Sequence, residues 1–129
     1  AQVSTWGGLA STAAQIRGIE GVVIDGGCRD VDQTALLSFP VFSRHVTPIT
    51  GKGRIKILDV NEVIQCGGVR IRPGDIIMAD STGVVAIPQG RALEILEKAQ
   101  KAENAEERFE GELKRGKTFS ELQKKTAHF

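Results

Sequence analysis

The chain has 129 residues, of which 40% are hydrophobic and 26% charged, with a formal net charge of +1. That length suits one domain with a real core and not two. The near-neutral balance gives no electrostatic case for nucleic acid or an anionic membrane as partner, and no apolar stretch is long enough to span a bilayer.

The amino end, residues 1–6, has no basic region followed by an apolar one, so no signal peptide is read there. Gly7-Gly8 leads into a predicted helix over residues 9–17, with Leu9, Ala13 and Ile16 on one face and Gly18 at its end. A glycine turn of this kind normally follows a strand, and no strand is expected before it. The chain therefore reads as the carboxyl-terminal fragment of a longer protein or one half of a processed one. Residues 21–25, with the β-branched run Val22-Val23-Ile24, predict a buried strand. Gly26-Gly27 then allow a sharp turn with positive φ, and the adjacent Arg29 and Asp30 follow. Asp30 or Asp32 is expected to cap a short helix through Leu37, stopped before Pro40. Residues 41–44 read as a strand and 45–53 as a polar loop.

From Arg54 to Pro88 the pattern turns to β. Strands are expected over residues 55–60, 63–66, 69–71, 76–79 and 84–87, with turns at Gly67-Gly68, at Arg72-Pro73-Gly74-Asp75 and at Asp80-Ser81-Thr82-Gly83. Pro88 pre-sets the first turn of a long helix to about Arg115, which Gly111 weakens or ends early. Thr118-Phe119-Ser120-Glu121 is a capping-box pattern opening a last short helix.

The Arg29-Asp30 pair stands just past the carboxyl end of a buried strand, where α/β folds bind ligands. In one reading Asp30 caps the next helix and Arg29 is a surface charge. In the other the carboxylate holds a hard divalent cation and the guanidinium stabilises oxyanion charge. The glycines at 7–8 and 26–27 favour the second, because they clear space and expose helix N–H groups to an anion. Elsewhere the signals are weaker. Thr50-Gly51-Lys52-Gly53 lacks the spacing of a phosphate loop, and no GxGxxG follows a strand. His45 and His128 match no zinc pattern. Cys28 and Cys66 have neither CxxC nor metal spacing, a usage that points to a reducing, cytoplasmic setting. Cys28, beside Arg29, is either a reactive thiol or a small residue filling a tight loop. The charges over residues 98–117 form a solvated helix face.

Taken together, Gly7-Gly8-Leu9, the run GVVIDGGCRD at 21–30, the run FPVFSR at 39–44, and residues 72–88 from Arg72-Pro73-Gly74-Asp75 to Pro88 resemble one protein group. It contains regulator of ribonuclease activity A and the class II 4-hydroxy-4-methyl-2-oxoglutarate aldolases. The chain resembles their carboxyl-terminal portion, as a single domain over 1–129 with a helical extension from about residue 88. The resemblance implies an α/β fold of the swivelling β/β/α (phosphohistidine-domain-like) sandwich type, here an incomplete domain, in a homotrimer or hexamer with sites between subunits. It implies a metal-dependent lyase acting on a small oxo-acid, by aldol cleavage or oxaloacetate decarboxylation through a pyruvate enolate. Asp30 would bind Mg2+ or Mn2+, Arg29 would face the keto oxygen as the catalytic cation, and Gly8, Leu9 and Ala10 would hold the substrate carboxylate. Glu103 or Glu106 of the adjacent subunit would help hold metal-bound water. The alternative the group implies is a non-catalytic regulator that binds a ribonuclease or another protein. One departure bears on the choice: the acidic residue of the aldolase pattern near the helix start falls at Gly8, and glycine relays no proton.

Overall fold

The computed structural model describes residues 2–124. It divides into two compact units between Ala86 and Ile87. The first opens on β1 (Ser4–Trp6), α1 (Gly8–Ile16), β2 (Val22–Cys28), α2 (Val31–Leu36) and β3 (Val41–Val46). It continues through two ribbons, β4 (Ile64–Cys66) with β5 (Val69–Ile71) and β6 (Ile76–Asp80) with β7 (Gly83–Ile87). The second unit carries a 3-10 turn (Gln89–Arg91), α3 (Ala92–Lys114) and α4 (Phe119–Gln123).

The three early strands form a parallel sheet in the order β1-β2-β3. Parallel pairing demands crossovers, and α1 and α2 supply them. The helices close a small core around Ala14, Cys28 and Phe39, each at most 5% exposed. Trp6 stacks on Phe39 with ring centroids 6.4 Å apart, and its indole N–H donates to Ser11 Oγ at 2.8 Å, which satisfies a buried hydroxyl. Elsewhere β2 and β3 line an open cavity of about 1160 Å³ that the two ribbons also border, with Val23, Ile64, Val69, Ile77 and Val84 exposed. The Arg44 guanidinium, followed by the Gly67 amide at 2.8 Å, holds the Asp25 carboxyl below its ordinary range and ties the β4–β5 turn to β2.

Several sequence expectations change here. A strand does precede Gly7: β1 is only three residues long and its buried member is Ser4, so no apolar pattern announces it. β2 runs on through Gly26 and Gly27, and neither adopts positive φ. Gly27 is required for close approach, since a Cβ there would lie 2.7 Å from His45 Nε2 and 3.0 Å from the Val3 carbonyl. The expected strand over residues 55–60 is absent. Ile57, Leu58 and Val60 are each more than 70% exposed, and β propensity without a partner strand does not hold a strand together.

In the second unit, Gly111 lies inside α3 and does not end it. The Thr118 capping box is present, with Thr118 Oγ1 accepting from the Glu121 amide and Glu121 Oε2 accepting from the Thr118 amide at 2.8 Å. Phe109 meets Phe119 edge-on at 5.1 Å. No helix among the described residues is long and apolar enough to cross a membrane. His128 lies outside the described residues.

Candidate functional site

Three short segments meet at the carboxyl end of the parallel sheet: the β1–α1 junction, the β2–α2 junction and the loop after β3. The Arg29 amide donates to the Trp6 carbonyl at 3.0 Å, which fastens the second junction to the first. Asp30 follows with φ 58° and ψ 39°, a left-handed conformation that costs a non-glycine residue about 1 kcal/mol. That turn aims its carboxylate away from α2. Asp30 makes no side-chain cap bond to α2, which corrects the capping expectation. Its Oδ2 instead accepts from the Gly8 amide at 3.1 Å and pairs with the Arg29 guanidinium, with Nε 3.2 Å away.

The local sequence explains the reach. α1 has glycine as its N-cap and no acidic residue in its first turn. Its unpaired amides and positive dipole end therefore attract a carboxylate from elsewhere in the fold. Gly7 leaves the room, since a Cβ there would lie 2.7 Å from Asp30 Oδ2 and 3.0 Å from Arg29 Cγ. The Arg29 guanidinium is anchored at its other edge, where Nη1 donates to Ser4 Oγ at 3.1 Å and to Thr50 Oγ1 at 3.4 Å. Ser4 Oγ in turn donates to the Ile49 carbonyl at 3.0 Å.

Of the residues expected to form the site, Gly8, Arg29 and Asp30 are brought together, and Leu9 and Ala10 follow in the same helical turn. Glu103 and Glu106 lie exposed on α3 in the second unit. Three further residues were missed. Ser4 and Thr50 position Arg29, and Gln33, on the first turn of α2, lies over the α-carbon of Gly8. None belongs to a motif, and it is the fold that puts the late loop beside the first strand, through the Ser4–Thr50 bridge and the Ser4–Ile49 hydrogen bonds. Cys28 is buried at 3% exposure with Sγ 3.0 Å from Ser43 Oγ, a packed thiol and not an exposed nucleophile. His45 Nε2 is buried against Gly27 without a hydrogen-bond partner.

Among the described residues, no group of three or more His, Cys, Asp and Glu converges on one point. Asp30 is a single carboxylate with Oδ2 engaged and Oδ1 left as a donor atom. That donor set suits magnesium, which commonly takes one or two carboxylates and fills its shell with water and substrate oxygens.

Residues 1–86 match the family described as RraA-like, Aldolase/RraA. The chain belongs to that family. A relative from Halalkalibacterium halodurans named "Putative 4-hydroxy-4-methyl-2-oxoglutarate aldolase" is 43% identical over 94 residues, covering 73% of this chain and 44% of the relative. The solved structure of an uncharacterized Pseudomonas syringae protein superposes with a TM-score of 0.90 at 31% identity, over 96% of this chain and 58% of that one. Streptomyces coelicolor RraAS2, described as an unusual member of the RNase ES inhibitor RraA protein family, gives 0.75 at 28% identity, over 83% of this chain and 55% of its own. The chain thus spans about half the length of the curated relatives it matches. These likenesses bear out the expected family and a mixed α/β fold.

Proposed function

We propose that this RraA-like chain carries the oxo-acid site of a metal-dependent carbon–carbon lyase, of the 4-hydroxy-4-methyl-2-oxoglutarate aldolase or oxaloacetate decarboxylase type. The observation that carries this reading is the convergence of Arg29 and Asp30 on the glycine start of α1. The assembly proposed around the site is a homotrimer or hexamer, and the chain spans about half the length of the curated relatives it matches. Glu103 of an adjacent subunit is the proposed second acid.

Asp30 would hold the Mg2+ or Mn2+ ion through its carboxylate. Bound there, the ion would act as a Lewis acid on the oxygens of a 2-oxo acid. Arg29 keeps a fixed positive charge near the 2-oxo oxygen, because Ser4 and Thr50 hold its Nη1 and Asp30 holds its Nε. The first-turn amides of α1 at Leu9 and Ala10 receive the substrate carboxylate. Cleavage of the C3–C4 bond expels CO2 from oxaloacetate, or a carbonyl fragment whose hydroxyl proton passes to water from an aldol substrate, and leaves the electron pair on the pyruvate fragment as an enolate, which Arg29 stabilises. Protonation of C3 by water releases pyruvate.

The second reading is a non-catalytic regulator that binds a ribonuclease or another protein. It is favoured by the likeness to RraAS2 and by the absence of a proton-relaying group at Gly8. Pyruvate release from oxaloacetate with Mg2+, measured beside a pull-down against an RNA-degrading complex, separates the two. Turnover that disappears in both Arg29→Ala and Asp30→Ala supports the lyase. Equal pyruvate release by parent and both variants removes it.

A further inference from the structure

The site described above contains a residue that neither the sequence motif nor the family likeness assigns. A Cβ on Gly8 would lie 2.0 Å from Gln33 Oε1, 2.3 Å from Gln33 Cδ and 3.0 Å from Gln33 Cγ. The Gln33 carboxamide therefore fills the volume that a side chain at position 8 would occupy. Gly7 faces Arg29 and Asp30 in the same way, so the glycine pair carries two different polar walls: an ion pair on Gly7 and a neutral amide on Gly8.

We infer that Gln33 is a specificity-determining residue of this site, facing the part of an oxo-acid that extends beyond its 2-oxo-carboxylate end. The inference rests on the lyase reading of Arg29 and Asp30. An exposed carboxamide offers N–H donors to a distal carboxylate at no cost in net charge. It takes no proton from a hydroxyl near neutral pH, so it gives no help to retro-aldol cleavage, which must remove one. The substrate class it suits is a dicarboxylic 2-oxo acid whose cleavage needs no base. In a 3-carboxylated 2-oxo acid the bond from C3 to the carboxylate breaks, CO2 departs, and the electron pair remains as the enolate. Water then supplies the proton at C3, leaving pyruvate and hydroxide.

Calorimetric titration of the purified chain, with Mg2+ present, tests this with two ligands: pyruvate, which lacks a distal carboxylate, and 2-oxoglutarate, which has one. Gln33→Ala is expected to weaken 2-oxoglutarate about tenfold, the loss of one charge-assisted hydrogen bond, and to leave pyruvate unchanged. Gln33→Glu is expected to weaken 2-oxoglutarate further by like-charge repulsion. A parent that binds both ligands, with Gln33→Ala changing neither or both alike, overturns the role of Gln33 and leaves the lyase site standing. A parent that binds neither overturns the lyase reading and this inference with it. In turnover, Gln33→Ala should raise KM for oxaloacetate about tenfold with kcat within about twofold. A fall in kcat at constant KM contradicts the assignment.

Discussion

The Asp30 carboxylate caps α1 and not the helix it precedes: its Oδ2 lies 3.1 Å from the Gly8 amide nitrogen, while α2 receives no bond from it. One side chain thus joins the β2–α2 junction to the β1–α1 junction and leaves a second oxygen for a cation. Asp30→Asn preserves the shape and an acceptor for Gly8 and removes the charge. The expected outcome is a loss of oxaloacetate turnover of about a hundredfold or more, with urea stability lowered by about 1 kcal/mol or less. Asp30→Ala should lose the same activity and about 1 kcal/mol, by loss of the cap. Turnover retained in Asp30→Asn would show that the carboxylate is only a helix cap.

Arg29 is held by a fork and not by charge alone. Its Nε pairs with Asp30 and its Nη1 reaches Ser4 and Thr50. A lysine has a single ammonium at the end of a flexible stem and does not span both edges. Arg29→Lys is expected to recover less than a tenth of the activity that Arg29→Ala loses, read as kcat/KM on oxaloacetate. Ser4→Ala, which frees one edge of the guanidinium, should lower kcat by about threefold to tenfold, as expected for losing one hydrogen bond of about 1 kcal/mol.

Much of this arrangement was legible in the sequence, because local chemistry wrote it there. The β-branched run at residues 22–24, the glycine pair at 7–8 and the Arg29-Asp30 pair each announce themselves within a few residues. What was not legible depends on contacts distant in sequence. Ser4 meets Ile49 and Thr50 only because β1 docks on the edge of β2, and a three-residue strand whose buried member is a serine has no hydrophobic period. The left-handed Asp30 was also invisible. A carboxylate before a short helix predicts a cap, and only the bare glycine start of α1 turns it the other way. The segment 55–60 failed in the opposite sense, since its β propensity has no partner strand among the described residues.

Gly27 tests the packing beneath the site. An added Cβ would lie 2.7 Å from His45 Nε2, 3.0 Å from Thr47 Cγ2 and 3.0 Å from the Val3 carbonyl oxygen. The last is backbone of the neighbouring chain segment and cannot swing aside. Gly27→Ala is expected to destabilise the fold by about 1–3 kcal/mol through overpacking. Gly26→Ala, whose Cβ would meet nothing closer than 3.6 Å, should cost clearly less. Urea midpoints of the two variants measure the difference, and equal values would contradict the close approach of β1 to β2.

Glu94, at the start of α3, sits between Arg91 and Lys98, with Oε1 3.1 Å from Arg91 Nη2 and 2.6 Å from Lys98 Nζ. The Arg91 hydrogen bonds first, and the Lys98 bond second, pull its carboxyl down to about 2 from an ordinary value of 4.5. A carboxyl depressed on folding contributes stability above its ordinary value and loses it as pH falls through the folded one. The pairing should therefore persist at pH 4, where an unpaired glutamate is already half to mostly protonated, and disappear toward pH 2. An NMR titration of the side-chain carboxyl carbons should place the Glu94 midpoint at about 2, well below the ordinary value of 4.5. Arg91→Ala should move it upward more than Lys98→Ala does, because the arginine makes two of the three bonds. High salt should move it upward as well, since the group is exposed and the Coulombic part of the interaction is screened. A Glu94 midpoint at the ordinary value of 4.5 at low salt would mean that the Arg91–Glu94–Lys98 cluster does not persist in solution.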